Sequence, residues 1–290
     1  MLAGLALGAG LSGAVAAQGL GLRSDSDEPL EINADEGIEW RQEEGVYIAR
    51  GNASAARGGV TVRGDTLTAH YRDSSQGGTD IWRIDAAGHV TISSQSAVAS
   101  GDNGVYDVVN GILVLKGRDL RLETETYTVT ARDSLEYWEP QQMAVARGNA
   151  IVVSEDRRLE ADVVTAHFQE APAADGAGAG GEGSPETKLE RIEAFGDVHV
   201  STGNQVARGD RGVYDVESGI ATLYGSVKIT RGQDQLNGEY GEIDLNTGVS
   251  RLLAGPPGAE GTKRVRALFS SRKKPEIEAR QEGGEAKAAP

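Results

Sequence analysis

The six residues Ala87-Gly88-His89-Val90-Thr91-Ile92 return as Phe195-Gly196-Asp197-Val198-His199-Val200 and again as Tyr224-Gly225-Ser226-Val227-Lys228-Ile229. In each copy a small or aromatic residue precedes Gly, a polar residue follows, and β-forming residues then alternate with polar ones. The same junction stands at Ala49-Arg50-Gly51-Asn52, Leu115-Lys116-Gly117-Arg118, Ala146-Arg147-Gly148-Asn149 and Ala254-Gly255. The intervals between these glycines are 37, 29, 31, 48, 29 and 30 residues, an underlying period of about 30. Two insertions account for the long intervals. One is 74–78; the other is 171–187, whose Ala, Gly and Pro content is that of a flexible loop.

A longer duplication is laid over the short one. Thr68-Ala69-His70-Tyr71 recurs as Thr165-Ala166-His167-Phe168, and Gly101-Asp102-Asn103-Gly104-Val105-Tyr106-Asp107-Val108 recurs as Gly209-Asp210-Arg211-Gly212-Val213-Tyr214-Asp215-Val216. The body therefore reads as two tandem modules, 26–145 and 146–255. Inside each, apolar residues fall at every second position, as at Val60 and Val62 or Leu67, Ala69 and Tyr71, which is the pattern of strands with one dry and one wet face. Asn110-Gly111, Ser218-Gly219, Asn246-Thr247-Gly248 and Gly64-Asp65 are expected as tight turns between strands. No stretch of the body carries a helical period. The expectation is an all-β protein of two facing antiparallel sheets with solenoid-like repeats and open ends. If each unit adds two strands to each sheet, the rod is on the order of 70 Å long at ~4.8 Å per strand.

Composition narrows the function. The 290 residues contain no Cys, which removes disulfide scaffolds, thiolate metal sites and cysteine nucleophiles. A net charge of -15 argues against nucleic acid and against adsorption to anionic membranes. The apolar run 2–17 ends in small residues and reads as a secretory signal peptide, although the first basic residue is Arg23. His70, His89, His167 and His199 fall at duplicated positions and are expected as exposed sheet-face side chains, with no metal site. No nucleophile elbow, phosphate-binding loop or zincin motif occurs, so neither a catalytic site nor a cofactor is expected. Beyond Gly255 come Pro256-Pro257, a basic cluster at Lys263, Arg264, Arg266, Arg272, Lys273 and Lys274, and a Glu-, Ala- and Gly-rich tail expected to be disordered.

At this point the residues resemble a family, the OstA-like fold shared by the lipopolysaccharide transport proteins LptA, LptC and the periplasmic part of LptD. Glu28-Pro29-Leu30-Glu31-Ile32-Asn33-Ala34-Asp35 is similar to the family's first strand. The Gly51-Asn52 step, Gly64-Asp65 and the Gly-x-x-x-x-Tyr strand follow in its order, and Lys263-Arg264-Val265-Arg266-Ala267-Leu268 resembles its closing strand, placing that strand and the disordered tail in 256–290. Of the three relatives, the layout is most similar to the soluble LptA type. The resemblance implies an extended, twisted β-jelly roll with an apolar trough for acyl chains. It implies groove positions at Leu30, Ile32, Leu67, Ala69, Tyr71, Val90, Ile92, Tyr106 and Val108, extended by the internal duplication to Val164, Ala166, Phe168, Val198, Val200, Tyr214 and Val216.

An ordinary inward-facing core residue would show the same pattern at every one of these positions. The case for a trough is that three Phe and three Trp leave little aromatic bulk to fill the space between two sheets ~10 Å apart. The resemblance further implies an exported periplasmic bridge, with no enzymatic activity, that carries lipopolysaccharide from the inner-membrane to the outer-membrane machinery. Its partners would be an anchored LptC-like protein, an outer-membrane LptD-like receptor and head-to-tail copies of itself, joined through sheet edges. The rival reading is a rigid β-solenoid spacer without lipid. A carbohydrate-binding or hydrolytic repeat protein is a third, which Trp40, Trp82 and Trp138 are too few to favour.

Overall fold

The computed structural model describes residues 30–57, 59–73, 78–155, 157–170, 187–203, 205–256 and 264–268. The expected signal peptide at 1–17, nearly all of the loop at 171–187 and the tail beyond Leu268 lie outside them. Eighteen strands form one antiparallel sheet in which chain neighbours are sheet neighbours. They are β1 (Glu31–Asn33), β2 (Gly37–Arg41), β3 (Val46–Arg57), β4 (Val60–Asp73), β5 (Thr79–Ser93), β6 (Ala97–Asp107), β7 (Ile112–Lys116), β8 (Leu120–Thr124) and β9 (Thr128–Ala131). There follow β10 (Ser134–Trp138), β11 (Met143–Ser154), β12 (Arg157–Glu170), β13 (Thr187–Thr202), β14 (Gln205–Asp215), β15 (Ile220–Arg231), β16 (Asp234–Asp244), β17 (Ser250–Leu253) and β18 (Arg266–Leu268). Residue 146, where the second repeat begins, lies inside β11.

The short strands come in couples that each cover one neighbour. Both β1 and β2 pair with β3, β7 and β8 with β6, β9 and β10 with β11, and β17 and β18 with β16. Ten long strands and four broken ones thus make a stack fourteen levels deep, roughly 65 Å at ~4.8 Å per level. Every level bends near its middle. The register slips between Arg50 and Ala53, Ala87 and Val90, Arg147 and Ala150, Phe195 and Val198, and Tyr224 and Val227. These slips are the repeated glycine junctions. At each, Gly and its follower both take positive φ, as Gly88 (76°) and His89 (47°) or Gly196 (75°) and Asp197 (44°) do, which is a two-residue bulge that turns the strand sharply.

The bends divide the stack into two limbs. The first contains β2, β7, β10 and β17 with the matching halves of the long strands; the second contains β1, β8, β9 and β18. The expected facing sheets are therefore two arms of a single hydrogen-bonded sheet. The residue two positions after each glycine sits in the bend and is wholly enclosed: Ala53, Val90, Ala150, Val198 and Val227 are each at most 1% exposed. Side chains from both limbs join one continuous apolar core around this line.

One expected turn is corrected. Asn110-Gly111, Ser218-Gly219 and Asn246-Thr247-Gly248 do reverse the chain, but Gly64-Asp65 lies in mid-strand within β4, beside the bend of β5. Its role is packing. A Cβ on Gly88 would lie 2.1 Å from Oδ2 of Asp65, and the same fit recurs between Gly148 and Asp133, Gly196 and Asp162, and Gly225 and Asp210. A carboxylate on one strand fills the space that the missing side chain leaves on the next.

Candidate functional site

Residues directly opposite one another on neighbouring strands point to the same face, so the register defines rows along the inside of the bend. One row of the first limb runs Tyr47, Ala69, Ile84, Tyr106, Leu113, Tyr137, Ala144, Ala166, Ile192, Tyr214, Ala221, Ile243 without a break across twelve strands. The facing row of the second limb runs Ile32, Ala55, Val62, Ile92, Ala99, Leu122, Val129, Val152, Leu159, Val200, Ala207, Ile229, Leu236. Apart from the tyrosine hydroxyls, neither row contains a polar side chain. Such uniformity on one face of a chain that is one-quarter charged makes the inside of the bend a continuous apolar face.

All sixteen groove positions lie on this inner face. Leu67, Ala69, Tyr71, Tyr106, Val108, Val164, Ala166, Phe168, Tyr214 and Val216 stand on the first limb; Ile32, Val90, Ile92, Val198 and Val200 stand on the second, with Leu30 leading into it. Their depths differ. Val90 and Val198 belong to the closed line of the bend, whereas Ile32, Tyr71, Phe168, Val200 and Tyr214 are half-buried toward the open side. The inner face is also more enclosed from β4 to β7 than beyond them. Ala69, Ile84, Tyr106 and Leu113 are buried, while Tyr137, Ala144, Ala166, Ile192, Tyr214 and Ala221 further along the same row are half-open.

Leu113, Leu122, Val129 and Tyr137 share these rows but were not expected there, because β7 to β10 are too short to display the alternation used to find the others. Polar groups are few. The Tyr106 hydroxyl donates to Oε1 of the buried Glu139 at 3.1 Å. Burial, with the charge of Glu139, pushes the Tyr137 phenol up to about 12. Burial likewise raises the Tyr214 phenol, against the opposing pull of the Arg157 guanidinium, while Tyr127 and Asp215 raise it further.

The histidines serve the outer surface. His70 Nε2 lies 2.7 Å from Asp85, His89 Nδ1 3.0 Å from Asp65, and His199 Nε2 3.1 Å from Asp197. His89 differs from the expectation of a sheet-face residue, since it is the second residue of a bend. Among the described residues no three His, Cys, Asp or Glu side chains converge as a metal site.

A bent antiparallel stack with an apolar inner face and, among the described residues, end strands paired on one side only defines the class: an extended, open-ended β-jelly roll. The model of the LptA/(LptD N-terminal domain) LPS transport protein family matches the chain twice, over residues 31–133 and 128–249. The chain belongs to that family. It is 30% identical over 124 residues to an uncharacterized protein of Rhizobium meliloti (strain 1021), a match spanning 41% of this chain and 66% of that protein. Among solved structures it is similar to LptH of Pseudomonas aeruginosa, the LptA homologous periplasmic component of the lipopolysaccharide transport device. That similarity has 19% identity and a TM-score of 0.39 over 50% of this chain and 95% of the other.

Proposed function

We propose that this member of the lipopolysaccharide transport family is a periplasmic bridge protein that holds the acyl chains of lipopolysaccharide in the trough and passes the lipid from the inner-membrane to the outer-membrane machinery. The observation that carries the reading is the pair of uninterrupted apolar rows, half-open between Val129 and Tyr214. Each methylene withdrawn from water there contributes ~0.8 kcal/mol, so a few acyl chains suffice for stable binding. Binding alone has no direction. Net movement requires an energy source elsewhere, and this chain acts as a passive conduit.

The ends support the partners. Exposed large apolar residues gather at both edges: Ile38 and Trp40 on β2, Leu253 on β17, and Val265 and Leu268 at β18. An LptC-like protein, an LptD-like receptor or another copy of the chain would add a strand at such an edge. The test is photocrosslinking in cells that make lipopolysaccharide, with the reactive residue at Ile32, Ile192 or Tyr214 and at outward-facing Thr68 as control. Lipid adducts at the inward positions alone support the conduit. Their absence from a folded, exported protein favours the lipid-free spacer, a reading that the closed interior from β4 to β7 also suits.

A further inference from the structure

The two rims of the trough differ in chemistry. That of the first limb carries Tyr71, Ile81, Phe168, Leu189, Val216 and Leu245, all on the inner face. On the second limb the last inner-face positions of β9, β11, β12 and β13 are polar: Tyr127 ahead of Val129, Ser154 after Val152, Arg157 ahead of Leu159, and Thr202 after Val200. All four are half-buried, and Ser154 stands directly opposite Arg157.

Arg157 is unusual among these residues. Outward arginines stand against carboxylates, as Arg83 does with Asp85, Arg158 with Glu160, Arg191 with Glu193 and Arg211 with Glu193. Arg157 faces the other way, and among the described residues it has no ion-pair partner. Two further inward arginines lie on the same rim, Arg57 and Arg231. Arg231 donates to Gln205 and stands opposite Asp234, whose charge offsets its own. By contrast, Arg157 stands directly opposite the hydroxyl residue Ser154, and its charge opposes the rise that burial imposes on the Tyr214 phenol. A half-buried guanidinium held in a net charge of -15, on a rim that also carries hydroxyls and adjoining an apolar bed, is complementary to an anionic group attached to acyl chains.

We propose that Arg157, with the hydroxyls of Tyr127, Ser154, Thr202 and Tyr214, holds the phosphorylated head group of the lipid whose acyl chains lie in the trough. This rests on the conduit reading. It adds an orientation, with the head group at the rim of the second limb and the chains between the two limbs, and it places a resting position in the second repeat.

The test uses the full chain and two probes, a lipid A carrying both phosphates and the same lipid with the phosphates removed. Wild type is expected to bind the phosphorylated form about tenfold more tightly at low salt. Arg157→Gln should lose that preference by weakening the phosphorylated form alone. Arg158→Gln, the adjacent residue on the outer face, should keep it. A preference that survives Arg157→Gln with its thermal unfolding unchanged, or a variant that weakens both lipids equally, overturns the head-group site and leaves the conduit standing. Wild type that binds neither lipid removes the conduit itself, and the head-group site with it.

Discussion

A single missing side chain, repeated, shapes this molecule. At Gly88, Gly148, Gly196 and Gly225 two demands coincide: positive φ between 74° and 83°, and an aspartate oxygen within 2.3 Å of where a Cβ would stand. Gly232 separates these demands, since its φ is 59° but nothing lies within 4 Å of its Cβ position. Gly232→Ala should therefore cost only the backbone strain, about 1 kcal/mol, while Gly196→Ala should cost about 3 kcal/mol because the Asp162 carboxylate must also move. Urea unfolding measures both. Adding Asp162→Ala to Gly196→Ala should recover about 1 kcal/mol, since the two changes touch the same space. An additive pair would show that the carboxylate is not what excludes a side chain there.

The turns that join first-limb strands have their own chemistry, and it gives them a pH dependence. Asp107 lies below the ordinary carboxylate range because the side chain and then the amide of Asn110 donate to it, at 2.7 and 2.9 Å. Ser218 does the same for Asp215 with its hydroxyl and amide, and Asp244 is lowered first by the amide of Thr247. A carboxyl whose folded pKa is depressed stabilises the fold fully above its unfolded value near 4, and that contribution disappears as the pH falls through the folded value. The triple variant Asp107→Asn, Asp215→Asn, Asp244→Asn should thus be less stable than wild type at pH 7. Its urea midpoint should decline less between pH 5 and 2, where the two curves converge. These turns were legible in the sequence because Asn110-Gly111 and Ser218-Gly219 interrupt clear alternation. Gly64-Asp65 misled for a physical reason: a Gly-polar step that reverses a chain and one that packs beside a neighbouring bend look alike until the partner strand is known. Four positions of the inner rows were hidden similarly, since β7 to β10 are four or five residues each and only their register with β6 and β11 puts Leu113, Leu122, Val129 and Tyr137 in line.

At the scale of the whole molecule the stack has, among the described residues, no side-to-side closure and two open ends, so its associations should run along its axis. The outer face is guarded by charge: Arg121 with Glu123, Arg158 with Glu160 and Arg191 with Glu193 cover the backs of the limbs with ion pairs that oppose lateral packing. The ends lack this cover. Ile38, 53% exposed on the first edge, and Leu268, 45% exposed on the last, stand beside unpaired backbone groups. Concentrated protein should therefore form end-to-end chains whose length grows in steps of roughly 65 Å, the depth of fourteen levels. A lysine at an edge places a charge where the incoming strand must lie. Ile38→Lys combined with Leu268→Lys should stay monomeric at concentrations where wild type associates, with unchanged circular dichroism, because neither residue belongs to the buried core. Small-angle scattering distinguishes the geometries. Growth in cross-section, or association that both lysines leave untouched, would mean that the copies meet through the backs of the limbs, and a continuous trough from one copy into the next would then have no structural basis.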